Sequence, residues 1–538
     1  MIKKNEVFLC QVLLFFGMMC SLAFAEAKTS SIEKTSKENF HVYVLIGGVN
    51  MAGRAVISKD NEETIDRGYL LNENGEWEPA RAPLNRYSNI RAEQDRQGLG
   101  PGQSFLMNML EKTDKDVSIG LVVNAGVGNN NFIEHWRYKD ENYRRTRARI
   151  KQAIKKGSLK GILWHQDNNR IDSSLSYVKD LISNLRVDFG DLNLPFVVGE
   201  VAGSSSSTYD SKYRALVEDV HALSYAKAEG LVLKGKFFDA QSVKALGESY
   251  AKNMLKLQEE WGKRDLSSVG PKRPFFDVHI HAQSNKENGL DALSDWMDRN
   301  EVDQVINMPL TQTRPKNEKE RMMMLSNYRK YKGKIHRFCV FNPDEVSSVD
   351  EAVAILEKEK LDGAIGFGEH YGRERMFDDP SNLRIYAACE KVGFPVIFHI
   401  DNNKNMDEKG LPRLERVLKM FPKAKIIAHA QFWLQLNNGT CDRLLQEYPN
   451  LYADPSGLRM AMVLNRDRKY TRQFLIRNAD KVLFGSDAGW WSFSKARKDR
   501  EIQFALFEHF DLPEEVKRKI YFDNAIKLFG LENKSNQP

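Results

Sequence analysis

The chain has 538 residues, 41% of them hydrophobic, with 80 basic side chains against 73 acidic ones. That length exceeds one ordinary domain and fits two large α/β domains. The charge excess of +7 is spread along the chain, which excludes nucleic acid as an expected partner, and five scattered cysteines without a Cys-x-x-Cys pattern exclude a disulfide framework or a cysteine zinc site.

Lys3 and Lys4 precede an apolar run from Val7 to Phe24, and Ala23-Phe24-Ala25 is a small-x-small cleavage sequence. This is the layout of a secretory signal peptide over residues 1–25, cut before Glu26. The run lies near the short limit for a membrane span, and Met19 before Cys20 makes a poor lipoprotein box. The expectation is export to the periplasm or beyond, with no transmembrane segment after cleavage. Residues 26–39 form a polar leader.

From residue 40 to 263, apolar runs such as "HVYVLI", "VSIGLVVNAG", "GILWHQ", "LPFVVGEV" and "GLVLKG" alternate with helical stretches. The alternation predicts a three-layer α/β domain with a parallel sheet. The first strand ends in Gly47-Gly48, the kind of tight turn on which hydrolases mount a nucleophile, yet the tip is Val49, followed by Asn50. Residues 264–274 read as a linker. Residues 275–534 then offer eight candidate strands: "FFDVHIH", "VDQVINMP", "IHRFCVFNP", "GAIGFGE", "FPVIFHID", "AKIIAHA", "LYADPSG" and "KVLFGSDAG". Eight βα units in this length predict a (β/α)₈ TIM barrel.

Titratable residues fall at the C-terminal ends of these strands, where barrel active sites lie. His279 and His281 end the first strand and share a face by the two-residue period. Glu369 ends the fourth, His399 the fifth, His429 the sixth and Asp487 the eighth. Neutral imidazoles with carboxylates suit a divalent metal, Zn²⁺ above all. The motifs "DVHIH", "VIFHID", "IIAHA" and "LFGSDAG" resemble the amidohydrolase superfamily, in the amidohydrolase-related branch that contains both hydrolases and decarboxylases. The resemblance implies that His279, His281, His399, His429 and Asp487 hold one or two metals. Glu369 is either a bridge between two ions or an ordinary loop glutamate, and the sequence leaves both open. It implies catalysis at Asp487 and His429: metal-activated water attacks a carbonyl, with Asp487 as base and then acid. Arg373, Trp433, Arg459, Trp490 and Trp491 follow strands and are expected to shape the pocket, an arginine gripping a carboxylate.

"VYVLIGGVNMAGRA", "GLGPGQSF", "IGLVVNAG" and "GILWHQ" resemble the SGNH-type esterases, in the branch of sialate O-acetylesterases and acetylxylan esterases. Here the positions that carry the chemistry differ. Val49 stands at the serine position, His165-Gln166-Asp167-Asn168 replaces His-Gln-Gly-Glu, and in "KGKFFD" Lys234 and Phe237 replace the aspartate and histidine; Asn50 is retained. A serine triad needs a hydroxyl, a base and an orienting acid, so this domain is expected to be silent. The expected whole is an exported metal-dependent hydrolase of an ester, amide or lactone, with a small, sugar-derived molecule as the expected substrate. A non-oxidative decarboxylase and a carbohydrate-binding protein with a structural metal are the alternatives, and the oligomeric state stays open.

Overall fold

The computed structural model describes Ile32 and residues 35–531, apart from 91–96, 127–132, 167–173, 202–205, 262–273, 311–312, 491–492 and 494–497. The expected signal peptide, most of the leader and of the linker, Asp167-Asn168 and Trp491 lie outside the described residues. Among those described, no helix is long and apolar enough to cross a membrane, and Cys339, Cys389 and Cys441 are free and buried. The chain divides into two compact units: Met1–Arg186 with Asn193–Arg264, and Val187–Leu192 with Asp265–Pro538.

The first unit is built on a seven-stranded sheet of order β3-β2-β4-β1-β5-β6-β7. Its strands are β1 (Phe40–Gly47), β2 (Gly68–Leu71), β3 (Trp77–Pro79), β4 (Ser118–Ala125), β5 (Ser158–His165), β6 (Phe196–Gly199) and β7 (Leu223–Ala226). All neighbours pair in parallel except β2 with β3. Every residue of β4 is buried, as expected for a parallel strand covered on both faces. Tyr43, Leu45, Leu121 and Leu163 pack with Phe105 and Met109 of the Gly102–Glu111 helix and with Leu246 and Met254 of the Ala240–Trp261 helix. The alternate residues Val42, Val44, Ile46 and Val122 are also buried, so helices cover both faces. A small hairpin of β8 (Leu233–Lys234) and β9 (Phe237–Phe238) follows.

The second unit holds eight parallel strands: β10 (Phe276–His281), β11 (Gln304–Asn307), β12 (Ile335–Cys339), β13 (Ala364–His370), β14 (Val396–Ile400), β15 (Ile426–Ala430), β16 (Leu451–Ala453) and β17 (Ala488–Gly489). From β10 to β16 each pairs with its sequence neighbour, and β17 pairs back with β10. The eighth strand is regular over only two residues, but the backbone before it closes the barrel. Leu483 N donates to the Ala453 carbonyl, and Val278 N to the Phe484 carbonyl. Ile397 and Ile427 share strand parity with His399 and His429, so an apolar cluster and the polar rim line one interior. Phe276 and Val278 join that cluster although His279 and His281 have the opposite parity. A register shift between Asp277 and Ile280 in the pairing with β11 accounts for the change, as a bulge re-aims a side chain.

Candidate metal centre

At the C-terminal rim of the barrel, His279 and His281 of β10, Glu369 of β13, His399 of β14 and His429 of β15 come together with Asp487 from the turn before β17. Glu369 sits between them, 2% exposed. Its Oε2 lies 3.4 Å from His281 Nε2 and 3.7 Å from His279 Nε2. Its Oε1 lies 2.6 Å from His399 Nδ1 and 3.6 Å from His429 Nε2. The two carboxylate oxygens thus face two different pairs of imidazoles. Asp487 Oδ1 lies 3.3 Å from His281 Nε2 and 3.8 Å from His279 Nε2. Glu369 therefore points inward, into the cluster of imidazoles, and not out into a loop.

The far side of each ring is also engaged. His279 Nδ1 lies 2.6 Å from Asp454 Oδ2, and His281 Nδ1 donates to the Met308 carbonyl at 2.9 Å. His429 Nδ1 lies 3.1 Å from Ser456 Oγ, and His399 Nε2 lies 3.2 Å from Asp401 Oδ2. At His279, His281 and His429 an Nδ1–H so held fixes the tautomer whose Nε2 carries the lone pair that binds a metal; His399 is reversed, with Nε2 held by Asp401 and Nδ1 facing Glu369. His279 Nε2 is buried and has no hydrogen-bond partner. Donors about 2.1 Å from one tetrahedral ion stand about 3.4 Å apart. The 3.3–3.8 Å separations among His279, His281, Glu369 and Asp487 match that spacing, so the residues present fit a divalent cation.

The electrostatics agree. Burial alone pushes an imidazole down, but Asp487 and Glu369 outweigh it at His281 and carry its pKa up to about 9. At His279 burial is likewise outweighed, by Asp454 and then Glu369, which hold that ring well above its ordinary value. Burial opposes ionisation of Glu369, yet contacts with His279, His281 and His399 keep it well below the usual carboxylate range. These buried carboxylates demand positive charge in their midst. Backbone strain gathers here as well: Asp487 (φ 58°) and Ala430 (φ 55°, ψ −120°), next to His429, both hold a positive φ that non-glycine residues rarely adopt.

Tyr371, absent from the sequence expectations, stacks on His399 at 5.2 Å between ring centroids and donates its hydroxyl to Glu369 Oε2 at 2.9 Å. Lys404 Nζ lies 4.8 Å from the Tyr371 ring centroid, and its backbone pairs with that of Arg373. Arg373 is exposed in this loop. Arg459 is exposed on the Leu458–Arg466 helix, and Trp490 is half-buried, its backbone N–H donating to the His281 carbonyl. Trp433 corrects an expectation. It does not open onto a pocket: it is buried, packs edge-on against Phe432 and Phe474, and donates Nε1–H to the Asp454 carbonyl at 2.8 Å. The short helix Gln431–Gln435 turns it inward.

In the first unit the tight turn after β1 is intact. Gly47 has φ 124°, and a Cβ there would stand 2.2 Å from the His165 carbonyl oxygen, so only glycine fits; Gly48 N donates to that same carbonyl at 2.8 Å. Val49 opens the helix Val49–Ala52, half-buried against the core, and Asn50 is buried beside it. Lys234 and Phe237 face each other across the β8–β9 hairpin, and the Arg54 guanidinium lies 6.0 Å from the Phe237 ring centroid. Ser104, a serine that could have substituted for Val49, spends its hydroxyl on the Lys244 carbonyl.

Residues 39–256 match the family model of carbohydrate esterase, sialic acid-specific acetylesterase, and residues 277–531 match that of amidohydrolase. No curated protein matches the chain. Among solved structures, the chain is similar to a protein from Arabidopsis thaliana at 24% identity, covering 40% of this chain and 98% of that one with a TM-score of 0.36. It is similar to a TIM-barrel protein from Bordetella bronchiseptica at 16% identity, 48% and 99% coverage and a TM-score of 0.37. It is also similar to an amidohydrolase from Burkholderia multivorans with bound zinc, at 14% identity, 48% and 100% coverage and a TM-score of 0.35.

Proposed function

Because residues 277–531 form a domain of the amidohydrolase family and residues 39–256 one of the sialic acid-specific carbohydrate esterase family, we propose that the second unit hydrolyses an ester, amide or lactone with a divalent metal, and that the first unit is catalytically silent. The observation that carries the reading is the placement of Glu369, whose two oxygens face His279 and His281 on one side and His399 and His429 on the other. That arrangement supports a cation held by His279, His281, Asp487 and Glu369, with His399 and His429 offering donors for a second across the same carboxylate. Imidazole and carboxylate donors favour zinc.

When bound, such a cation polarises a substrate carbonyl and brings the pKa of a water to about 7. The protein supplies the rest. Among Glu369, Asp454 and Asp487, only Asp487 is open to solvent, its side chain 35% exposed against 2% and 0% for the others. Asp487 is thus the carboxylate able to take a proton from water and return it to the leaving group. Tyr371 and Glu369 hold the His399 ring in place, and the exposed Arg373 suits an anionic substrate group, whereas Lys404 is half-buried and paired with Asp401 at 3.0 Å.

The esterase-family unit supports a carbohydrate-derived substrate, and the Val7–Phe24 run supports export. The test uses the full chain, stripped with a chelator and reloaded with Zn²⁺ or Mn²⁺, against sugar lactones, acetyl esters and aromatic acids. Hydrolysis that vanishes on stripping and returns on reloading is expected. Turnover indifferent to chelation, or CO₂ release from an acid, overturns the reading.

A further inference from the structure

Asp454 stands directly after β16, is fully buried, and is pinned from several sides. Trp433 Nε1–H donates to its carbonyl at 2.8 Å. Its Oδ1 accepts from Ser456 N at 2.9 Å, and its Oδ2 from Ser456 Oγ at 2.8 Å. Gly485, in the "LFGSDAG" stretch, gives it room: a Cβ there would stand 2.5 Å from Asp454 Oδ1 and 2.9 Å from His279 Cβ. A carboxylate removed from water and held this rigidly is costly unless it is fully paired.

Its partners are two histidines from different strands. Oδ2 lies 2.6 Å from His279 Nδ1 and 3.4 Å from His429 Nδ1. The Ser456 hydroxyl closes the triangle, donating to Asp454 Oδ2 and standing 3.1 Å from His429 Nδ1 as an acceptor. The ring centroids of His279 and His429 are 4.4 Å apart. One acceptor on the outer side of both rings fixes both as Nδ1–H tautomers and turns both Nε2 atoms toward Glu369.

We infer that Asp454 is a shared positioning residue, which sets the tautomer and the aim of His279 and His429 together and so couples the two halves of the centre. The inference rests on the metal-centre reading above. Trp433 and Gly485 act one step further back, by fixing the place of Asp454.

The test measures metal affinity, not turnover alone. Asp454→Asn keeps the volume but puts an N–H against a donor whichever way the amide turns. It should leave the unfolding temperature of the metal-free protein within a few degrees. It should weaken Zn²⁺ and Co²⁺ binding 10- to 100-fold in chelator competition, and shift the visible absorption of the Co²⁺-loaded protein. Ser456→Ala removes the hydroxyl bridge to His429 together with one donor to Asp454 Oδ2, leaves the pairing of Asp454 with His279 in place, and should weaken binding less. Asp454→Asn folded with unchanged affinity and unchanged Co²⁺ spectrum overturns the inference; if it does not fold, wild-type affinity in Ser456→Ala does so. Absence of metal binding in the unaltered chain would instead defeat the metal-centre reading itself.

Discussion

Each unit buries a histidine whose Nδ1 is engaged and whose Nε2 has no hydrogen-bond partner. In the first unit His165 Nδ1 meets the Tyr250 hydroxyl at 3.0 Å, and that hydroxyl donates onward to the Trp164 carbonyl. In the second, His279 Nδ1 meets Asp454 at 2.6 Å. The rings are alike and their surroundings opposite. Burial alone acts on His165 and pushes its pKa down to about 4, whereas carboxylates overcome burial at His279 and His281. A buried lone pair is therefore not a site in itself. It becomes one where further donors converge on it and fixed negative charge calls for a cation.

The contrast can be broken most severely at Asp487. Asp487→Ala should lower kcat/KM on any substrate found by about 10³-fold or more, while leaving the unfolding of the first unit unmoved in calorimetry. A loss under tenfold would remove Asp487 from proton transfer. His165 offers the opposite probe. Its folded-state pKa lies below the unfolded value of 6.5, so the unfolded chain takes up a proton the folded one refuses. Its stabilising effect is present above pH 6.5 and lost as pH falls toward 4, by roughly 3 kcal/mol. Urea denaturation at pH 7 and 4.5 should show a smaller acid loss for His165→Gln than for the unaltered chain; equal losses contradict the account.

At His281 the sign reverses. In the metal-free protein its pKa stands at about 9, so its contribution to stability is complete below 6.5 and fades as pH rises through 9. Metal needs the neutral ring. Zinc affinity by competition titration should accordingly rise about tenfold per pH unit for each proton displaced, and level off above about pH 9. A flat profile between pH 6 and 8 would mean that no proton is displaced. Smallest of all is Val49→Ser. It should cost about 1 kcal/mol of stability and yield no acetylesterase activity, because Phe237 and Lys234 still deny the hydroxyl its partners. Appreciable esterase turnover would show that the chemistry of the first unit had only lost its nucleophile.

The barrel was legible because its strands are apolar runs with ligand-type residues at one end, and the two-residue period of "HIH" and the placement of His399 and His429 carry through to the rim. The role of Glu369 was not decidable from "GFGEH", since a strand-end glutamate looks the same pointing in or out. Asp454 was missed because "YADPSG" reads as turn chemistry; the available signal was an aspartate directly after the seventh strand, on the rim where the histidine and carboxylate cluster gathers. Trp433 was misread because a tryptophan after a strand fits a lid as well as a buried prop, and only the inward turn of residues 431–435 separates them. Tyr371 carried no signal, its place in the cluster arising from stacking on a residue 28 positions away.

Metal analysis of the purified full chain beside its His281→Ala and Glu369→Gln variants bears most directly on the centre. One or two equivalents of a divalent transition metal should accompany the unaltered chain, falling sharply in both variants while each stays folded. Background metal in the unaltered chain after reloading with zinc, or full occupancy in the folded variants, would contradict it.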